Sequence, residues 1–159
     1  MRRLRLQSAQ SHNRRGTSTV ELALVIPVFA LFLAGLLEFG HAYSVIHTLN
    51  GAAYKAARLG AAEGSTSTET RAMVEQILSK AIRTNHATVY VKDASIFDDR
   101  EIEPGEIDYE DLPEIELANA ESRQLFLVRV QVPYEDVAVL PPFWVKDINL
   151  FGQAVMRHE

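Results

Sequence analysis

Residues 22–37 read LALVIPVFALFLAGLL, sixteen consecutive positions without a charge. Glu21 precedes the run and Glu38 closes it. A membrane-crossing helix needs about 20 mostly apolar residues, and the stretch 18–40 reaches that length by taking in both glutamates near its ends. A core helix of a soluble domain keeps a polar face, and this run has none. The segment therefore predicts a transmembrane helix. Five arginines, Arg2, Arg3, Arg5, Arg14 and Arg15, lie in the first 16 residues with no acid among them. Basic residues on that flank place the N-terminus in the cytoplasm. The C-terminal part is then expected outside a bacterial inner membrane, in the periplasm.

Charge and cysteine content remove several classes of function. Beyond residue 16 the chain carries 11 basic and 21 acidic side chains, a net of −10. Such a surface repels phosphate, so nucleic acid is not an expected partner. There are no cysteines. A disulfide framework, a thiolate metal site and a cysteine nucleophile are all excluded. A thiol-free chain is also indifferent to an oxidising compartment.

Three kinds of membrane signal fit the N-terminal order: a plain signal anchor, a cleaved secretory peptide, and a pilin-type signal. Gly40-His41-Ala42 has the small-x-small form of a secretory cleavage site. Pro27 early in the apolar run, and Glu21 between the arginines and most of that run, are foreign to an ordinary signal peptide. The order Arg14-Arg15-Gly16, then Thr17-Ser18-Thr19-Val20-Glu21, then the apolar run resembles the class III signal of type IV pilins and pseudopilins. That resemblance implies cleavage between Gly16 and Thr17 by a prepilin peptidase, with Glu21 as the fifth mature residue. The electrostatics agree. An ionised Glu21 near the bilayer centre would cost on the order of 2–3 kcal/mol, and less near the interface. A new α-ammonium on Thr17 would stand one helical turn away, where it can partly neutralise the carboxylate. In an assembly, Glu21 could meet Thr17 of a neighbouring subunit instead. The plain alternative puts Glu21 at the headgroup level.

Downstream the pattern is helical, then extended. No proline occurs between Pro27 and Pro104. Ala52, Ala56 and Gly60 form one row at spacing four, and Ala53, Ala57 and Ala61 form another, as in a helix that approaches another surface closely. One helix is expected from about 18 to 62, or roughly 67 Å at about 1.5 Å per residue. Gly64 and the following Ser-Thr run end it. Thr66 with Glu69 fits a capping box that opens a second helix over about 67–84. Its apolar positions Val74, Ile77, Leu78, Ala81 and Ile82 follow the helical repeat. Strands are expected around Val89 and Val91, over 126–132 with Phe126, Val128, Val130 and Val132 on one face, and over 148–157. The fold class is α+β and pilin-like: one long N-terminal transmembrane helix and a second helix packed on a small antiparallel sheet. The expected divisions are a basic leader over 1–16, a transmembrane helix over 17–43 and a periplasmic domain over 44–159.

RRGTSTVELALVIPVF, AAYKAARLGA and the ending LFGQAVMRHE together resemble the TadE-like family, small pseudopilins of bacterial tight-adherence (Flp) pilus systems. The resemblance covers about 60 residues, at 14–62 and the C-terminal strand. One departure is Leu22, where pilins and many family members have an aromatic residue after the glutamate. The resemblance implies a membrane-anchored minor pseudopilin that takes part in pilus assembly or secretion. Its implied partners are the prepilin peptidase, other pseudopilins and pilus-assembly proteins, and inner membrane lipid. A signal-anchored periplasmic binding or adaptor domain is the alternative.

Enzymatic chemistry finds no support. His12, His41, His47, His86 and His158 lack metal-ligand spacing, and no nucleophile elbow, phosphate loop or dinucleotide fingerprint occurs. No cofactor and no small-molecule substrate are expected. The stretch 93–121 carries twelve acids against Arg100 alone. Its spacings match no calcium loop, and a solvated, mobile insertion is expected there. Pro141-Pro142-Phe143-Trp144 reads as a rigid turn bearing two aromatics, for packing or an assembly contact.

Overall fold

The computed structural model describes residues 12–82, 84, 86–98 and 107–159. The first eleven residues of the expected leader therefore lie outside the described residues. The elements are α1 (His12–Gly60), α2 (Ser67–Ala81), β1 (Thr88–Asp93), β2 (Leu125–Pro133), a single turn α3 (Tyr134–Val137) and β3 (Asn149–Arg157). Contacts divide the chain into two compact units after Leu37.

The first unit holds the apolar half of α1. Leu22, Leu24, Val25, Ile26, Val28, Phe29, Leu31, Phe32, Leu36 and Leu37 are all exposed. Among the described residues, these side chains pack into neither hydrophobic cluster. The helix is long and apolar enough to cross a membrane. Pro27 lies inside it. A membrane helix tolerates the missing N–H, because local adjustment can satisfy the freed carbonyl.

The second unit runs from Glu38 to Glu159. Here α1 changes character. Ala52, Ala53, Ala56 and Ala57 are fully buried, together with Leu49. A Cβ on Gly60 would stand 2.7 Å from Leu117 Cδ1 and 2.8 Å from Thr70 Oγ1. The last residues of the segment expected to span, 38–43, fall within this unit, and Ala42 is buried in its core.

The expected capping box opens α2. Thr66 Oγ1 accepts the Glu69 N–H, and Glu69 Oε2 accepts the Thr66 N–H, both at 3.1 Å. Ser67, Thr70, Val74 and Leu78 form the buried stripe. The helix stops at Ala81, short of the expected 84. Ile82 turns to an extended conformation and still donates its N–H to Leu78. That turn puts the Ile82 side chain against the core and redirects the chain toward β1.

The sheet is antiparallel in the order β1-β2-β3, with Val91 opposite Val128 and Val130 opposite Gly152. Phe126, Val128, Val130 and Val132 line one face of β2 and are fully buried with Val91 and Leu150 in the core beneath the helices. A Cβ on Gly152 would run into the backbone of Leu49 and Asn50. Asn50 Oδ1 also accepts the Gln153 N–H at 3.1 Å. The α1 backbone thus lies directly on β3.

The other face of the sheet is also partly covered. Leu127 is fully buried there, in a second cluster with Ala94 and Leu112. Arg129 sits over the rings of Tyr109 and Phe151, 5.0 and 4.0 Å from their centres. The described part of the acidic stretch is therefore not a free solvated loop. On the outer edge of β1, the Asp93 N–H donates to Pro113 C=O at 2.8 Å. Ser67 Oγ donates to Ile115 C=O at 2.7 Å and accepts the Leu117 N–H at 3.0 Å. Glu114 pairs with both Arg71 and Lys92 at 2.9 Å. Residues 113–117 cover the free edge of β1 and tie it to the start of α2, which shields an edge that would otherwise be open to pairing. The Glu116 carboxylate accepts the Ser67 N–H, and this bond holds its pKa below the usual glutamate value.

Gly152→Ala should destabilise the fold by about 1–3 kcal/mol through overpacking, because the obstacle is helix backbone and not a flexible side chain. Thermal unfolding of the detergent-solubilised chain should show a midpoint lower by about 5 °C or more. An unchanged midpoint would mean that α1 does not rest on β3.

Candidate functional site

The residues expected to carry assembly chemistry, Gly16, Thr17 and Glu21, all lie on α1. The helix therefore sets Thr17 and Glu21 one turn apart in position. Glu21 is exposed, and no partner for its carboxylate lies among the described residues.

The sequence reading treated Glu38 only as the charge that ends the apolar run. The structure gives it a defined task. Its carboxylate accepts three consecutive backbone N–H groups: Phe143 at 3.0 Å, Trp144 at 3.0 and 3.2 Å, and Val145 at 2.7 Å. Successive N–H groups aimed at one point form an anion cradle. The local sequence makes this cradle. Pro141 and Pro142 have no N–H and a fixed φ, so they turn the chain stiffly and leave the next three amides to face α1. Asp147 then adopts a left-handed conformation at φ 52° and leads into β3.

Two further contacts lock the same junction. Tyr134, almost completely buried at the end of β2, donates its hydroxyl to Glu38 C=O at 3.2 Å. Burial raises the Tyr134 pKa, and the nearby Glu38 charge adds to the rise. One turn along α1, His41 donates from Nε2 to Val137 C=O at 2.8 Å. The base of the loop is closed by the Tyr134 N–H, which donates to Ile148 C=O at 3.0 Å.

A cleft of about 420 Å³ opens beside this junction, lined in part by His41, Ser44, Val45, Thr48, Ile82 and Val137. Its titratable groups are already engaged. His41 is bonded to Val137, and Asp136 is bonded to His86 at 2.7 Å. Among the described residues no group of three or more His, Asp or Glu side chains is placed to hold a metal ion. His158 is buried, with Nδ1 near Glu159 C=O at 3.1 Å. The reason is that residues 158 and 159 continue beyond β3 onto the fold: the His158 N–H donates to Gln124 C=O and the Glu159 N–H to Ala61 C=O.

The geometry is thus that of an α+β protein, with one long apolar N-terminal helix whose second half packs on a three-stranded sheet. Residues 16–58, which span most of α1, match the family model described as TadE-like protein. Neither curated proteins nor solved structures gave a match. The matched stretch contains Gly16, Thr17, Glu21, Glu38 and the buried alanines, and ends before the loop that Glu38 holds.

Glu38→Ala leaves three amides without their acceptor and should cost about 1–2 kcal/mol, since these amides are only partly shielded from water. Glu38→Gln keeps a carbonyl oxygen in the cradle and should lose less. Equal thermal midpoints for Glu38→Ala and the unaltered chain would show that the cradle contributes nothing to stability.

Proposed function

We propose that this protein is a membrane-anchored minor pseudopilin that takes part in tight-adherence (Flp-type) pilus assembly or secretion. The observation that carries the reading is the coincidence of the TadE-like match with an apolar helix whose described side chains are exposed. In this reading α1 holds the subunit in the inner membrane with its N-terminus in the cytoplasm and residues from about 44 onward in the periplasm. Assembly then proceeds by helix-helix packing with other pseudopilins.

A prepilin peptidase cuts between Gly16 and Thr17. Glycine weakens a helix by roughly 0.5–1 kcal/mol relative to alanine, which favours local opening at the scissile bond. The new Thr17 ammonium and Glu21 then form the assembly pair, either within one chain or between neighbours. Cleavage after Ala42 fits the fold poorly. It would remove Glu38 and His41 from the domain whose 137–145 segment they hold.

Intact mass or N-terminal sequencing of membrane-extracted protein should give a mature chain beginning at Thr17, and Gly16→Leu should block the cut. A start at Tyr43 would instead establish a secreted protein, and an intact Met1 a plain anchor.

Glu21→Ala removes a charge from the apolar helix, so membrane insertion and processing should be retained. The same variant should lose pilus assembly and co-purification with pseudopilin partners. Normal assembly by Glu21→Ala would reduce the glutamate to an interfacial residue.

A further inference from the structure

We propose that the loop 139–145 is a second membrane contact, which seats Leu140, Phe143 and Trp144, with Phe39, in the headgroup region where the chain leaves the bilayer. This rests on the reading of 22–37 as a membrane anchor.

The loop is apolar and uncovered. Val139, Leu140 and Phe143 expose 77%, 62% and 65% of their surface, more than a water-facing loop has reason to leave open. The rings form one cluster. Phe143 and Trp144 meet edge to face at 4.7 Å, and Phe39 lies 6.5 Å from Trp144. Contiguous exposed apolar surface of this kind marks a site of interaction.

The level of the loop identifies the occupant. Glu38 directly follows Leu37, the last residue of the uncharged run. Its carboxylate holds the amides of Phe143, Trp144 and Val145. The aromatic cluster is therefore fixed to the residue at which the chain passes from hydrocarbon to water. Tryptophan and other amphipathic aromatics favour that level. Lys146 lies 6.0 Å from the Phe143 ring centre, with a long stem suited to an apolar surface and a charged head suited to water. Glu135, Asp136 and Asp147 border the loop against Lys146 alone, so the attraction is to the apolar interface and not to anionic headgroups. Two prolines stiffen the loop, so little conformational entropy is lost on insertion.

Trp144 is the one tryptophan in the sequence and reports directly on the loop. The full chain is reconstituted in vesicles of phosphatidylethanolamine and phosphatidylglycerol. These contain phosphatidylcholine brominated near either the carbonyl or the methyl end of its acyl chains. The expected result is a blue-shifted Trp144 emission that loses more intensity to the shallow bromines than to the deep ones. Replacing phosphatidylglycerol by phosphatidylcholine should leave that loss unchanged. Leu140→Ser and Phe143→Ser, at exposed positions that leave the core intact, should each reduce it. Carbonate extraction of the same vesicles separates the two readings. A chain that washes off is not anchored, and both readings fall. A chain that stays integral while Trp144 is unquenched by either lipid overturns the loop proposal alone. So does protection of Trp144 from aqueous iodide that appears only as protein density rises, which would assign the cluster to a neighbouring copy.

Discussion

The near-contact of backbone with backbone between α1 and β3 sets the dimensions of the folded domain. Gly152 leaves room for the backbone of Leu49 and Asn50, and Ala52, Ala53, Ala56 and Ala57 continue α1 into the core with small, fully buried side chains. Each alanine buries little apolar area, so cohesion here comes from many close dispersion contacts and not from large side chains. The bulk is supplied from the side by Leu49, Val74, Leu78, Phe126 and Leu117. Such a contact fixes the rotation of α1 about its own axis. That rotation in turn places Glu38 and His41 toward the loop and the end of β2.

The two glutamates that bracket the apolar run look alike in sequence and differ in structure. Glu38 is met by three amides of its own chain. Glu21 has no partner among the described residues. A carboxylate already satisfied within the subunit stabilises the subunit. One left open within apolar surroundings is the better candidate for pairing between subunits, because the cost of its charge remains to be relieved.

Local patterns were legible where neighbours along the chain decide the outcome. Thr66 and Glu69 announced the start of α2, and the Val128, Val130 and Val132 alternation announced the buried face of β2. The apolar run announced a helix long and apolar enough to cross a membrane. What escaped was decided at long range. Leu127 is buried because Ala94 and Leu112 arrive over it, on the face opposite Val128 and Val130. The acidic stretch reads as solvated from its charge density, yet apolar residues spaced along it, Ala94, Leu112 and Leu117 among them, are buried and anchor it. Glu38 and the amides it binds are more than a hundred residues apart, and no spacing rule links them. The Pro-Pro pair signalled a stiff turn but not its target.

The contact between Asn50 and Gln153 closes a loop of 103 residues. Contacts of such long sequence separation repay the entropy of closure late, which slows folding. The alanine face of α1 is made early and stays wet until β3 has been synthesised and paired with β2. During that interval a surface that is fully buried in the finished domain is exposed and aggregation-prone. Tethering α1 to a bilayer would keep nascent copies of that face from meeting freely in three dimensions, so an anchor would serve folding before it serves assembly.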